Sequence, residues 1–86
     1  MTINEVIKEF VRIMYCRTHS EINTILVHLR EQVQSNVLSL GHTYCSVIDM
    51  IDMMLNMTKD DDGYYWCGVP EIYSTCERVI IFLRNA

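Results

Sequence analysis

The chain has 86 residues, of which 50% are hydrophobic and 21% charged, a balance typical of one globular domain rather than of a disordered chain. Seven Lys and Arg side chains stand against eleven Asp and Glu, so the net charge is −4 and the pI is near 5.1. Binding to nucleic acid or to anionic membranes through charge requires clustered positive side chains, and the composition argues against both. We expect a single domain that spans residues 1–86.

Charged side chains are interspersed among the apolar ones of the first twenty residues, and this stretch does not have the pattern of a signal peptide. No segment of the sequence has the roughly 18 consecutive apolar residues that would indicate a membrane-spanning helix. Both features predict a cytoplasmic protein. Four cysteines allow two disulfides in three connectivities, but in a reducing compartment we expect free thiols at Cys16, Cys45, Cys67 and Cys76.

Apolar residues at helical spacing predict two helices in the first half of the chain. The first spans residues 3–16 and begins with a capping-box pattern, in which Thr is followed three positions later by Glu. The second spans residues 20–40 as one continuous rod, with its weakest point at residues 35–36. Gly41 follows it, at the position where a residue of left-handed conformation commonly ends a helix.

A third helix, over residues 43–57, is apolar around most of its circumference and has one narrow polar stripe formed by Ser46, Asp49, Asp52 and Asn56. A helix of this kind has to be covered on more than one side. It is therefore either the central helix of a bundle or part of a homodimer interface, and the residues concerned are Met50, Met53, Met54 and Met57.

The end of the chain supports two interpretations. The run Val79–Phe82 favours a strand by propensity, whereas the wider apolar spacing is helical and Pro70 suits a first helical turn. We predict a helix over residues 70–84, and hence an all-α fold: an antiparallel bundle of three long helices and a shorter fourth. The alternative is an α+β winged-helix fold, in which residues 64–67 form a hairpin with residues 78–83.

Two Cys/His pairs have the composition of zinc ligands, Cys16-x2-His19 and His42-x2-Cys45. A continuous second helix would hold them about 30 Å apart, far beyond the reach of one metal ion, so we predict no metal site. A Cys/His metal-dependent structural module is the alternative, and it requires the chain to fold back near residues 35–36.

The sequence contains no G-x-S-x-G, HExxH or phosphate-binding glycine motif, and neither Cys/His pair lies in a known nucleophile signature. The segment Asp60-x-Asp62-Gly63 is similar to the start of an EF-hand loop, but the carboxylates required at loop positions one and twelve are missing. We predict a protein that is not an enzyme and has no cofactor.

A short motif covers the end of the third helix and the turn after it: Leu55-Asn56-Met57-Thr58, then Asp61-x-Gly63-x-Tyr65-x-Cys67. This motif resembles the F-strand segment of a V-type immunoglobulin domain. The resemblance implies that Tyr65 forms a tyrosine corner and that Cys67 pairs across a β-sandwich. That family also has a Trp between its two cysteines, whereas Trp66 is the only Trp here and the stretch after Cys16 is strongly helical in pattern, so the all-α prediction stands.

The net charge is carried by the second half of the chain. Residues 1–42 contain four acidic and four basic side chains, and residues 43–86 contain seven acidic and three basic ones. An acidic triplet is followed almost at once by three aromatic residues, a composition typical of protein interfaces, where carboxylates steer a basic partner and aromatic rings anchor it. The predicted partner-binding residues are Asp60, Asp61, Asp62, Tyr64, Tyr65 and Trp66, extended by Asp49, Asp52, Glu71 and Glu77.

The alternative to this partner-binding surface is that residues 60–62 form a solvated acidic turn and that Trp66 is buried at the end of the bundle.

Our functional prediction is a small acidic, non-catalytic protein–protein interaction module, an inhibitor or adaptor that occupies a basic surface of a larger protein such as a nucleic-acid-processing enzyme. Small immunity, adaptor and phage or bacterial inhibitor proteins are comparable in size and charge. A dimeric winged-helix or helix-turn-helix regulator is the other candidate, but the third helix has no Lys or Arg with which to read DNA.

Overall fold

Helices account for most of the residues that the structure describes. The computed structural model describes residues 2–61 and 64–85, and within them the helices are α1 (Ile3–Ile13), α2 (His19–Gln34), α3 (Val37–Leu40), α4 (Tyr44–Met57) and α5 (Val69–Arg84). A 3-10 turn (Gly41–Thr43) connects α3 to α4, and two short strands, β1 (Asp60–Asp61) and β2 (Tyr64–Tyr65), connect α4 to α5. The prediction of a small all-α bundle is confirmed.

The four longer helices alternate in direction. Cys76 on α5 donates a hydrogen bond through its Sγ to the Phe10 carbonyl (3.0 Å), and the Tyr73 hydroxyl donates to the carbonyl of Cys16, just after α1. These two bonds make α1 and α5 antiparallel. Asn23 in the second turn of α2 donates to Thr58 Oγ1 (2.9 Å), immediately after α4, so α2 begins where α4 ends. The result is an up-down-up-down bundle measuring 38 × 22 × 17 Å.

The core is built from one apolar face of each long helix. On α1 the buried residues lie at the 1-3-3 spacing of a single helical face. Full burial of a Leu, Ile or Phe side chain contributes about 1.5–3 kcal/mol, and the core holds enough such residues to stabilise the fold. The largest wholly buried side chains are Phe10, Ile13, Ile22, Leu26, Leu29, Ile51, Met54, Ile72 and Leu83.

Local capping sets the beginnings of α1 and α2. Thr2 Oγ1 accepts from the Glu5 amide (3.3 Å), and the Glu5 carboxylate accepts from the Thr2 amide (3.2 Å), which completes the predicted capping box. Thr18 Oγ1 accepts from the Glu21 amide in the same way (3.2 Å). The first helix ends at Ile13 rather than at the predicted residue 16.

The prediction of one continuous helix over residues 20–40 is wrong. The helix is interrupted at Ser35 and Asn36, where Ser35 Oγ donates to the Glu31 carbonyl (3.1 Å) and the Asn36 side chain donates to the Gln32 carbonyl (2.7 Å). Side chains that bond to nearby carbonyls in this way compete with the helical ladder. The chain then continues as the short α3.

The predicted shorter fourth helix is also corrected, because α5 has 16 residues, as many as α2 and more than the 11 of α1. Residues 78–83 lie within α5, so the alternative hairpin with residues 64–67 is not formed. The strands β1 and β2 instead pair with each other, Asp60 opposite Tyr65 and Asp61 opposite Tyr64.

Among the described residues, no helix combines the length and the apolar character needed to cross a bilayer.

Candidate protein-binding surface

Three consecutive aromatic residues lie on the connection between α4 and α5, and we call Tyr64, Tyr65 and Trp66 the aromatic turn. Tyr64 is 80% exposed and Trp66 is 64% exposed. The Trp66 indole Nε1 donates to the Asn56 carbonyl in the last turn of α4 (2.8 Å), so the ring lies on the outside of the bundle. The alternative in which Trp66 plugs the end of the bundle is therefore not what the structure shows.

His19, the first residue of α2, holds the aromatic turn from the other side. Its Nε2 donates to the Cys67 carbonyl (2.6 Å), which requires the tautomer protonated at Nε2. The imidazole stacks on the Tyr65 ring with centroids 3.7 Å apart and an interplanar angle of 6°. A turn that is fixed at both flanks loses little conformational freedom when a partner binds.

Glu71, in the first turn of α5, closes the same end of the bundle. Its Oε2 accepts from the Gly68 amide (2.8 Å), and this bond, with a second from the Cys67 thiol, lowers the pKa of Glu71 below its ordinary range. Burial, together with the hydrogen bond and charge of Glu71, raises the pKa of Cys67 to about 11. Glu71 is therefore anionic and Cys67 a neutral thiol at physiological pH.

The structure divides the predicted acidic residues into two groups. Asp60 is exposed beside the aromatic turn, and Asp61 pairs through its backbone with Tyr64, while Asp62 lies outside the described residues. Asp60, Asp61 and Glu71 share one end of the molecule with the three aromatic residues.

The other three predicted acidic residues lie on the sides of the bundle. Asp49 is exposed eight residues before the end of α4, which places it about 12 Å along the helix from the aromatic end. Glu77 is exposed about 9 Å along α5 from Glu71. Asp52 accepts from Arg30 Nε (2.6 Å), an ion pair that joins α4 to α2 and raises the pKa of the guanidinium, so its charge adds little to the field at the aromatic end.

The two Cys/His pairs lie at opposite ends of the bundle, because Cys16 and His19 stand where α2 begins, whereas His42 and Cys45 follow α2 and α3. In residues 2–61 and 64–85, no group of three or more His, Cys, Asp or Glu is placed to hold a metal ion.

Burial raises the pKa of the Cys16 thiol. Burial, and to a smaller extent the nearby Cys16, raises the pKa of Cys76 to about 12. Thiols of this kind are poor nucleophiles because the thiolate is the reactive form.

The disulfide implied by the immunoglobulin resemblance is not formed. All four cysteines are free thiols, and Cys67 is buried at the N-terminal end of α5. Tyr65, which the resemblance assigns to a tyrosine corner, instead stacks on His19. The motif is present in sequence, but its surroundings here are helical.

Sequence reasoning missed the contributions of His19 and of the Asn56 carbonyl to this surface. His19 is 46 residues away from Tyr65, and no periodicity or spacing relates two positions that far apart. The capping pattern Thr18-x-x-Glu21 was the available signal, because it places His19 in the first turn of a helix with its side chain at the helix end.

Comparison with known proteins gives one local similarity. No protein-family model and no solved structure matches the chain. A segment of 32 residues, 37% of the chain, is 47% identical to the Trem-like transcript 4 protein of Homo sapiens. The match covers 14% of that protein, so the similarity concerns one segment of each chain.

Proposed function

We propose that this protein is a non-catalytic binding module that uses the aromatic turn to occupy a basic surface of a larger protein. The observation that carries the proposal is the exposure of Tyr64 and Trp66 on a turn held by His19 and Asn56. Large aromatic rings exposed side by side lose unfavourable contact with water when a partner covers them. Such residues are the usual anchors of protein interfaces.

Charge defines the kind of partner. Asp60, Asp61 and the anionic Glu71 share the end of the bundle with the aromatic turn. Carboxylates at the edge of an interface accelerate encounter with a positively charged partner. A nucleic-acid-processing enzyme has such a surface at its substrate site, and we propose that the protein acts there in the cytoplasm as an inhibitor or adaptor.

The first test uses affinity capture from the source cells, with the whole chain as bait and mass spectrometry as the readout, followed by binding kinetics with each captured protein. We expect Trp66→Ala to raise the dissociation rate by roughly tenfold to thirtyfold, because truncating a central aromatic anchor costs about 1.4–2 kcal/mol or more. Leu38→Ala is the matched control, since Leu38 is 97% exposed at the opposite end of the bundle. Equal dissociation rates for both variants would show that the aromatic turn is not the binding surface.

The same kinetics at increasing salt test the charges. We expect Asp60→Asn to lower the association rate and to flatten its salt dependence, whereas Glu31→Gln, which removes one negative charge far from the turn, leaves both nearly unchanged. A partner that binds with no salt dependence would contradict electrostatic steering. Capture of nucleic acid in place of a protein would favour the regulator hypothesis instead.

A further inference from the structure

A second exposed apolar surface lies along the side of the bundle, where α4 packs against α5. A groove of about 370 Å³ runs between the two helices, with Met50 and Met53 on one wall and Val79 and Phe82 on the other. Met53 is 48% exposed and Phe82 is 52% exposed. Packing in the core therefore leaves about half of the Met53 and Phe82 side chains uncovered.

The two methionines also form a ridge. Met50 and Met53 also line a second groove of about 280 Å³ on α4, together with Ser46 and Asp49, so the two methionines separate one groove from the other. A methionine ridge thus lies directly beside a groove of matching apolar character. A two-fold rotation can seat the ridge of one molecule in the groove of another, and the same contact is then made twice.

Charge supports this arrangement. Asp49 flanks the ridge on its outer side, and Arg78 lies across the groove on α5. Both residues are exposed, and neither forms a salt bridge with any other described residue. Asp49 lies beside the methionines and Arg78 lines the groove, so a two-fold contact that seats the methionines of one copy in the groove of the other brings opposite charges to the same interface.

We infer that the protein is a homodimer through this surface, which we call the methionine face: Asp49, Met50, Met53, Arg78, Val79 and Phe82. A second copy of the chain supplies both an apolar ridge for the groove and charges opposite to those beside it. The methionine face lies on the side of the bundle and the aromatic turn at its end, so a dimer presents two aromatic turns. The inference is independent of the proposed function.

The experiment is sedimentation equilibrium of the full chain over a concentration series that extends into the millimolar range. We expect the mass to rise from the monomer value of 10.1 kDa to twice that value. Met53→Lys places a charge in the partner's groove and should weaken dimerisation by roughly a hundredfold. Circular dichroism confirms that each variant is folded, which is expected because the substituted side chains are exposed.

Charge reversal tests the two-fold arrangement directly. Asp49→Arg and Arg78→Asp should each weaken the dimer by roughly tenfold or more, since each brings like charges together twice. The double variant Asp49→Arg/Arg78→Asp restores opposite charges across the interface and should recover most of the wild-type affinity. Glu31→Arg is the control, because Glu31 is exposed on α2, away from the methionine face.

Three results would overturn the inference: a monomeric mass at every concentration, a dimer that Met53→Lys leaves intact, or a double variant no tighter than the single ones. The first excludes a self-associating surface, the second places the interface elsewhere, and the third excludes the pairing of Asp49 with Arg78. None of these results bears on the aromatic turn, which is tested with a different partner.

Discussion

At the scale of single residues, burial separates the four thiols into two kinds. Cys45 is exposed on α4, whereas Cys16, Cys67 and Cys76 are buried. Removal from water disfavours the thiolate and raises the pKa of each buried thiol, to about 11 for Cys67 and about 12 for Cys76. Since the thiolate reacts with disulfides, native reactivity is expected to be concentrated in Cys45.

Titration with an aromatic disulfide reagent near pH 8 measures this difference. We expect one thiol to react rapidly in the native protein and all four to react in strong denaturant. Cys45→Ser should remove the rapid phase, and Cys76→Ser should leave it unchanged. A denatured protein with two reactive thiols would instead reveal a disulfide, as the immunoglobulin resemblance implies.

At the scale of the elements, the main departure from the predicted helices is the break between α2 and α4. Apolar residues keep their helical spacing through Val33, Val37 and Leu40, so the pattern does not show the interruption. The break depends on which hydrogen bonds the side chains of Ser35 and Asn36 make, and that choice becomes clear only in the folded chain. Gly41 then adopts φ 58° and ψ −129°, a conformation that residues with a Cβ rarely adopt.

Gly41→Ala is therefore expected to lower the free energy of unfolding by about 1–3 kcal/mol. Among the described residues, apart from Gly41 itself and its two chain neighbours, no heavy atom lies within 4 Å of an added Cβ, so the cost arises from the backbone conformation. Gly68→Ala is the matched control: Gly68 has φ −77°, and its added Cβ would meet Pro70 Cδ at an ordinary 3.6 Å. Urea denaturation should show a clear loss for Gly41→Ala and a change of under about 0.5 kcal/mol for Gly68→Ala. Equal effects would mean that the Gly41 conformation is not required.

At the scale of the whole molecule, stability depends on one core to which all four long helices contribute. Phe10 and Ile51 are wholly buried on α1 and α4, and Leu26 and Ile72 on α2 and α5. A domain of this size has a total stability of about 5–10 kcal/mol. The loss of one large core side chain therefore removes a substantial fraction of it.

We expect Phe10→Ala to cost about 3–5 kcal/mol and Val27→Ala, at a 43% exposed position, under about 1 kcal/mol. Chemical denaturation followed by far-ultraviolet circular dichroism measures both. The same spectra test the architecture, because a helical bundle gives the double minimum of α-helices. A single minimum typical of antiparallel strands would contradict the bundle and support the β-sandwich of the immunoglobulin resemblance.

The pattern of the sequence was sufficient to predict the helical class, the starts of α1 and α2, and the helical nature of residues 70–84. These features depend on contacts between residues three or four positions apart, and the spacing of apolar and capping residues along the sequence shows such contacts directly. The exposure of the aromatic residues could not be predicted from the same information. A single Trp in a small domain can as well be buried.

The placement of the surfaces was decided only by tertiary structure. The stacking of His19 on Tyr65, the ion pair between Arg30 and Asp52, and the ridge and groove of the methionine face all join residues that are 22 or more positions apart or on different helices. Local periodicity assigns each helix a buried face but not its neighbour or its rotation against that neighbour. Those follow from packing the four helices around a common core, because only there do distant side chains compete for the same space.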